Sequence, residues 1–301
     1  MLIFNDFINK LAPKKIGAIT IGVFDGVHKG HKSLIDKVIH SSHQEKSALI
    51  TFSNHPKSFF DKEKKNILIS TLEHKIELLK STGIDCLFVV PFTKEFAEIT
   101  AKKFLEAIKD NLNPSKIILG YDAVIGRNRE GTKEFVEKLT PMLGIDVEYI
   151  KPVFENNQII SSTKIRDFIR LAKFDEASLQ LGRPYSIYGK VQNGNKKATL
   201  LGFPTANINV NMLQLPPFGV YKVSIKFKGQ LFKAVANLGI RPTFNQEHND
   251  PLLEVHIFDF DENLYEEYIE VIFIEFIRNE KRFNSIDELI AQIKEDIKAC
   301  Q

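Results

Sequence analysis

The strongest constraint on this chain is a change of rhythm near Leu181. Before it, short apolar runs alternate with longer amphipathic ones. The spacing predicts strands at Ile16–Phe24, Ala48–Phe52, Cys86–Val90, Lys116–Leu119 and Val147–Ile150. Between them it predicts helices at His31–Ile39, Leu72–Lys80, Ala101–Ile108 and Lys133–Leu143. Near-continuous apolar strands alternating with helices imply a parallel sheet covered on both faces, with ligand-binding loops along the strand carboxyl edge. After Leu181, Gly and Pro become dense and the helices stop. Runs at Tyr185–Val191, Val220–Phe227, Leu231–Leu238, Leu252–Phe260 and Ile269–Phe276 read as an antiparallel sheet or small barrel. A terminal helix at Ile286–Lys298 is capped by Asn284 or Ser285 and has an apolar face of Ile286, Leu289, Ile290, Ile293 and Ile297. Helices at Thr163–Leu171 and Asp175–Leu181 bridge the parts. The expectation is two domains, 1–182 and 183–301, consistent with a length of 301 residues.

Composition removes several classes of function. With 41 Lys+Arg against 38 Asp+Glu, bulk attraction to nucleic acid or membrane is not expected. Cys86 and Cys300 alone build neither a disulfide framework nor a Cys-based zinc site. The opening residues lack the order of a secretion signal, and no apolar run approaches the roughly 20 residues of a membrane span. A cytoplasmic protein is expected.

The first chemical constellation is Asp25-Gly26-Val27-His28-Lys29-Gly30-His31, entered directly from the first strand. Gly26 permits a sharp turn, and Gly30 permits close approach to the first turn of a helix, whose N–H groups favour an anion. Two histidines three apart are often a surface pair or half a metal site. Between a strand and a helix start they are instead placed to hold phosphate oxygens. Ser161-Ser162-Thr163-Lys164-Ile165-Arg166 is the second piece. Hydroxyls at a helix start are ordinary caps, but with Lys164 and Arg166 beside them they form an anion cradle. Gly126 and Gly131 with Thr132-Lys133 nearly spell a P-loop, but the last two residues are in the wrong order and no strand immediately precedes it.

In the second half, Thr205 and Asn207 of Pro204-Thr205-Ala206-Asn207 sit two apart on an extended segment and face one side. They are either part of a capped turn or oxygen ligands for Mg²⁺ on nucleotide phosphates. Alternation places Leu253, Val255 and Ile257 on one face and Glu254 with His256 on the other. Glu254 is either a solvated surface carboxylate or, if that face lines a pocket, a base for an attacking hydroxyl.

Taken in order, Gly22-Val-Phe-Asp-Gly-Val-His-Lys-Gly-His31, Thr51-Phe-Ser-Asn-His-Pro56, Gly120-Tyr-Asp122 and Ile160-Ser-Ser-Thr-Lys-Ile-Arg166 resemble the adenylyltransferase half of bacterial bifunctional riboflavin kinase/FAD synthetases. The second half is similar to the kinase module of the same family. It shares Leu181-Gly-Arg-Pro-Tyr185, Gly202-Phe-Pro-Thr-Ala-Asn207, Gly219-Val-Tyr221, Asn237-Leu-Gly-Ile-Arg-Pro-Thr-Phe244, Leu253-Glu-Val-His256 and Arg278-x-Glu280-x-x-Phe283. The resemblance implies a Rossmann-like HxGH nucleotidyltransferase domain followed by a small antiparallel β-barrel with a C-terminal helix. It implies ATP and Mg²⁺ as co-substrate and cofactor, with riboflavin, FMN and FAD as the flavins handled.

By the same resemblance, His28, His31 and Arg166 serve adenylyl transfer, and Gly22, Phe24, Asp25, Gly26, Gly30, Asp122, Ser162 and Thr163 bind ATP. Phe52, His55 and Pro56 line the flavin or pyrophosphate side. In the kinase, Glu254 is the base, Thr205 and Asn207 serve Mg²⁺ and ATP, Gly202 and Pro204 belong to the nucleotide loop, and Arg278 and Phe283 meet the flavin. The chain departs from the family at three places. Ala123-Val124-Ile125 replaces an aromatic-basic-aromatic run, Ala198 stands where Gly is common, and Glu266 follows Leu264-Tyr265 where Gly is usual. The alternatives are a nucleotidyltransferase for another phosphorylated alcohol, or a nucleic-acid-binding barrel using Lys190, Lys196 and Lys197.

Overall fold

A computed structural model describes residues 1–7, 15–56, 68–193, 201–240 and 250–301. These gather into two compact units, Met1–Lys65 with Lys75–Ser161, and Asn66–His74 with Ser162–Gln301. The helices after Ser161 therefore pack with the second unit.

In chain order the first unit contains β1 (Leu2–Phe4), β2 (Ile16–Ile21), α1 (Lys29–Ser41), β3 (Lys46–Phe52) and α2 (Leu72–Lys80, from Lys75 onward). There follow β4 (Cys86–Val90), α3 (Lys94–Ala97), α4 (Ala101–Leu112), β5 (Lys116–Leu119), α5 (Lys133–Leu139), β6 (Asp146–Tyr149) and a hairpin, β7 (Phe154–Glu155) with β8 (Gln158–Ile159). Six strands form one sheet in the order β1-β4-β3-β2-β5-β6, and every pairing is parallel. All of β2 and β4 is buried, which is why these strands read as unbroken apolar runs rather than alternating ones. β2 has β3 on one side and β5 on the other, so the strand order reverses there. The loops leaving β2, β3 and β5 share the carboxyl edge at that switch point, where such sheets bind ligands.

The differences from the expected elements are local. β2 stops at Ile21 instead of the expected Phe24, because the chain swings out through left-handed backbone at Phe24 (φ 52°), Gly26 (φ 76°) and Val27 (φ 40°). The helix expected to reach Leu143 ends at Leu139. Thr140–Leu143 continues as a 3₁₀ turn with Pro141, which lacks an N–H, at its start. β1, α3, β7 and β8 are two to four residues long, too short to carry a readable period.

The second unit opens with α6 (Ser162–Arg170) and α7 (Phe174–Leu181). Six strands follow: β9 (Ser186–Gln192), β10 (Ala206–Asn209), β11 (Gly219–Phe227), β12 (Gln230–Ile240), β13 (Pro251–Ile257) and β14 (Tyr268–Asn279). They close into a barrel in the order β10-β13-β12-β11-β14-β9, all antiparallel. Ile187, Val191, Ile208, Val223, Ile225, Leu253, Val255 and Val271 are buried, as expected of the inward positions of alternating strands.

α8 (Ile286–Cys300) closes the chain. Ser285 is its cap, its hydroxyl accepting from the Glu288 N–H at 3.2 Å, while the Glu288 carboxylate accepts from the Asn284 N–H at 3.0 Å. The expected apolar face needs two corrections. Ile286, at the first position, is 63% exposed. The buried residues of the helix are Asp296 and Cys300. Cys300 and Ile297 pack on Val220 and Val235. Asp296 forms a two-pronged pair with Arg278, Nε to Oδ1 at 2.8 Å and Nη2 to Oδ2 at 2.6 Å.

Candidate active sites

In the first unit the site grows from the exit of β2. His28 is the N-cap of α1, and its Nδ1 accepts the His31 backbone N–H at 3.2 Å. Accepting at Nδ1 sets the neutral tautomer with the proton on Nε2, so the buried His28 ring offers an N–H donor. The His31 ring stacks on it with centroids 3.6 Å apart and planes 14° apart, and the Phe24 ring lies 5.0 Å beyond. A Cβ on Gly30 would press on the His28 ring at 3.2 Å. The close approach expected of Gly30 is thus first an approach of that histidine. Burial, then the neighbouring His28 and Lys75, hold the His31 pKa well below the ordinary imidazole value. A neutral, stacked imidazole pair sits beside the N-terminus of a 13-residue helix, an arrangement that donates hydrogen bonds to an anion.

The loops of β3 and β5 supply the rest of this edge. Thr51 is fully buried, and its hydroxyl donates to the Val23 carbonyl at 3.0 Å. The Phe52 ring packs edge-on against Phe92 and Phe96, each 5.5 Å away. Asn54 locks the next turn to the β4 exit, exchanging hydrogen bonds with Phe92 at 2.8 and 3.0 Å. His55 and Pro56 are half-buried. After β5, the Ala123 N–H closes a turn on the Gly120 carbonyl at 3.0 Å, leaving Tyr121 and Asp122 exposed at its tip. Ala123 then packs against the sheet's core cluster and Ile125 is buried within it. The altered loop is therefore anchored inward. Gly126 and Gly131, the near P-loop, pack against Ala101; a Cβ on Gly126 would meet the Ala101 nitrogen at 2.4 Å. Sterics account for these two glycines.

One residue of this edge escaped the sequence reading. Lys75, on α2, is 7% exposed and donates to the Phe52 carbonyl at 2.8 Å, the Thr51 hydroxyl at 3.1 Å and the Val23 carbonyl at 3.2 Å. Burial pushes its pKa down to about 8, with Asp25 pulling the other way. The signal was present: Lys75 lies four residues before the buried Leu79, on the apolar stripe of its helix.

In the second unit, Ser162, Thr163 and Arg166 occupy the first turn and a half of α6, where Arg166 donates to the Thr163 hydroxyl at 3.3 Å. The barrel carries a second cluster. Register places Asn207 opposite Glu254, and Glu254 opposite Asn237, so three polar residues form one row across β10, β13 and β12. Flanking positions Leu253 and Val255 are buried inward, which turns Glu254 and His256 to the outer face. The Asn207 amide Nδ2 donates to the Thr205 carbonyl at 3.4 Å, so its Oδ1 is the atom able to accept a hydrogen bond or a cation. His256 Nδ1 donates to the Pro204 carbonyl at 2.8 Å, and the Phe203 ring stands edge-on to it.

A cavity of about 200 Å³ opens beside Thr205, with Pro204, Ala206, Phe260, Asn263 and Tyr265 in its wall. Asn237 and His256 were within reach of the sequence, one as the strand partner of Glu254 and the other two residues along the same face. The Arg278 guanidinium is held by Asp296, and half-buried Phe283 lies under the Lys281 ammonium at 5.7 Å. Glu266 adopts φ 68°, the left-handed region that explains why Gly is usual there. Its carboxylate pairs with Lys190 at 2.5 Å. Ala198, Lys196, Lys197 and the Arg241–Phe244 string lie outside the described residues.

Among the described residues no group of three or more His, Cys, Asp or Glu is placed to hold a metal, and no helix is long and apolar enough to cross a membrane. A family model described as FAD synthetase matches residues 11–164, and one described as riboflavin kinase matches 181–301. The chain is 35% identical to a bifunctional riboflavin kinase/FMN adenylyltransferase of Haemophilus influenzae, over 94% of this chain and 93% of that protein. It is 35% identical to one of Bacillus subtilis, over 92% and 89%. A solved structure titled as a macrolide-efflux protein of Streptococcus pneumoniae superposes with a TM-score of 0.81 at 28% identity, covering 99% of this chain and 98% of that one. Two family matches in chain order, each on its own compact fold, identify the chain. It belongs to the bifunctional riboflavin kinase/FMN adenylyltransferases, which phosphorylate riboflavin to FMN and adenylylate FMN to FAD.

Proposed function

We propose that the two reactions are carried by the two clusters just described, within modules bounded at 182/183. The observation that carries this reading is that the sheet and the barrel each hold a set of polar groups at the right kind of surface: a helix start at the sheet's switch point, and a cross-strand row on the barrel.

For adenylyl transfer, an FMN phosphate oxygen attacks the α-phosphorus of ATP and pyrophosphate leaves. No proton has to move, so the task is positioning and charge stabilisation. His28 Nε2–H, His31 and the first N–H groups of α1 donate to the α-phosphate as its negative charge grows. Gly22, Phe24, Asp25 and Gly26 form the turn that aims them. Asp122 meets the ribose, and Ser162, Thr163 and Arg166 grip phosphate oxygens through hydroxyl, N–H and guanidinium donors. Phe52, His55 and Pro56 frame the flavin side.

For the kinase, Glu254 accepts the proton of the riboflavin 5′-hydroxyl as that oxygen attacks the γ-phosphorus and ADP leaves. Thr205 and Asn207 present hard oxygen atoms and fit Mg²⁺, which keeps most of its ligands as water and phosphate. When bound, the ion neutralises phosphate charge. Gly202 and Pro204 set the loop, and His256 holds it through the Pro204 carbonyl. Arg278 shapes the flavin side by holding α8, with Phe283 beside it. Riboflavin, FMN, FAD and ATP are the partners. A role in binding nucleic acid or membrane is not part of this reading: the charge is near balance and Lys190 is engaged by Glu266. The protein acts in the cytoplasm.

The test is chromatographic separation of flavins after incubation with riboflavin, ATP and Mg²⁺, and separately with FMN, ATP and Mg²⁺. FMN followed by FAD is expected, with both reactions lost on chelation of Mg²⁺. Folded protein that converts neither flavin contradicts the reading.

A further inference from the structure

The least expected group in the molecule is an ammonium buried in the sheet-bearing unit. Withdrawing a charge from water is costly unless it is paired and hydrogen-bonded, and an aliphatic residue at position 75 would satisfy the helix's apolar face. Lys75 instead meets three acceptors, one for each of its N–H donors: the Val23 and Phe52 carbonyls and the Thr51 hydroxyl. Two of these lie at the end of β3, and the third lies just beyond β2. Thr51 ties the same two strands again by donating to Val23.

Immediately after Val23 the backbone enters the left-handed region at Phe24, Gly26 and Val27. For a β-branched residue such as Val27 that is a strained conformation, held only where its surroundings over-determine it. The strained stretch ends on His28, whose ring is stacked on His31.

We infer that Lys75 is a positioning residue for adenylyl transfer: its ammonium fastens the exits of β2 and β3 and thereby holds the strained turn that aims His28 and His31. This rests on the placement of FMN adenylylation at those two histidines. Lys75 acts through the loop and through its charge. The groups facing His31 are the His28 ring, the Lys75 ammonium and, beside the ammonium, the buried Asp25 carboxylate. A positive charge there favours neutral His31, and with it a fixed pattern of donors in the stacked pair.

The experiment compares Lys75→Met, which keeps length and removes charge and donors, with Lys75→Arg, which keeps charge. FMN adenylylation is measured as kcat and KM, the His31 ring is titrated by NMR, and riboflavin phosphorylation by the same sample reports a folded chain. Lys75→Met should lower adenylylation kcat by about 10–100-fold, the scale of a small misplacement of reacting groups. KM should change much less, and the His31 titration should move to higher pH. Lys75→Arg should leave that titration near the wild-type position and recover part of kcat.

An unchanged kcat in Lys75→Met overturns the inference. So does a loss of kcat with the His31 titration unmoved and Lys75→Arg equally impaired, because packing alone would then explain the residue. If Lys75→Met does not fold, Thr51→Val decides: a several-fold lower kcat with an unmoved His31 titration supports the fastening role, and an unchanged kcat overturns it. Wild-type protein that makes no FAD from FMN would defeat the underlying placement instead.

Discussion

The two units act on the same co-substrate with opposite construction. In the parallel sheet, the histidines proposed to meet phosphate follow a loop, and their aim depends on backbone that is strained and tied down: Phe24 and Val27 in left-handed conformations, with Thr51 and Lys75 fastening Val23. In the barrel, Asn207, Glu254 and Asn237 are aimed by strand register, with ordinary extended backbone. A sheet edge supplies an electrostatic floor but leaves aiming to the loops. A barrel wall aims side chains through its pleat, and leaves the segment at Pro204 to be held by a contact such as that from His256.

The largest effects should fall on activity and separate the units cleanly. Glu254→Ala should lower riboflavin phosphorylation by about 10²–10⁴-fold, the usual contribution of a positioned base, while FMN supplied directly is still converted to FAD. His28→Ala should lower adenylylation by about 10²–10³-fold, as for removal of one preorganised donor, with phosphorylation retained. Flavin product analysis reads both.

Stability should separate them next. Asp296→Ala strands the Arg278 guanidinium beneath α8. It should destabilise the barrel by about 2–3 kcal/mol, somewhat less than a fully buried pair because Arg278 is partly exposed. Urea titration followed by kinase activity measures this, and adenylylation should survive to higher urea.

A third contrast is in pH. Glu270 lies near His74 and accepts from the Ser186 hydroxyl at 2.7 Å. These contacts bring its pKa from the ordinary 4.5 to about 2, with His74 the larger cause. A carboxylate with a depressed native pKa contributes stability that is complete above its unfolded pKa and is lost as pH falls through the native one. The barrel should therefore weaken between about pH 4.5 and 2, and Glu270→Gln should flatten that slope in acid denaturation followed by circular dichroism.

The smallest effect is Glu266→Gly. Relief of the left-handed backbone is worth about 1 kcal/mol and is partly offset by the lost Lys190 pair and by the greater freedom of glycine. A rise in Tm of one or two degrees is expected by calorimetry.

What could be read in advance follows the same division. Strands that alternate, or are apolar throughout, disclose both architectures, and the period of two puts Glu254 and His256 on the face opposite the buried Leu253 and Val255. The histidines were visible because a strand, two glycines and a helix bracket them. The residues that escaped are charges on apolar faces. Lys75 on α2 and Asp296 on α8 each interrupt a hydrophobic stripe, and a pattern reading treats such interruptions as noise. Each proves to be one end of a contact whose other end is remote in sequence, 52 residues away for Lys75 and Val23, 18 for Asp296 and Arg278. Periodicity carries no information about such pairs. The exit of β2 was over-extended for a similar reason: Gly22, Val23 and Phe24 fit a strand, and only the demand of the His28 turn bends them away.

The central claim, that the two reactions are carried by separate sites, is tested most directly by mixing two variants, each disabled at one of them. His28→Ala protein and Glu254→Ala protein, each given riboflavin, ATP and Mg²⁺, should stop at FMN and at riboflavin respectively. Combined in one tube they should make FAD, because FMN released by the first is substrate for the second. If folded His28→Ala protein makes no FMN from riboflavin, if folded Glu254→Ala protein makes no FAD from FMN supplied directly, or if the mixture makes no FAD, the two sites are not independent and the account is wrong.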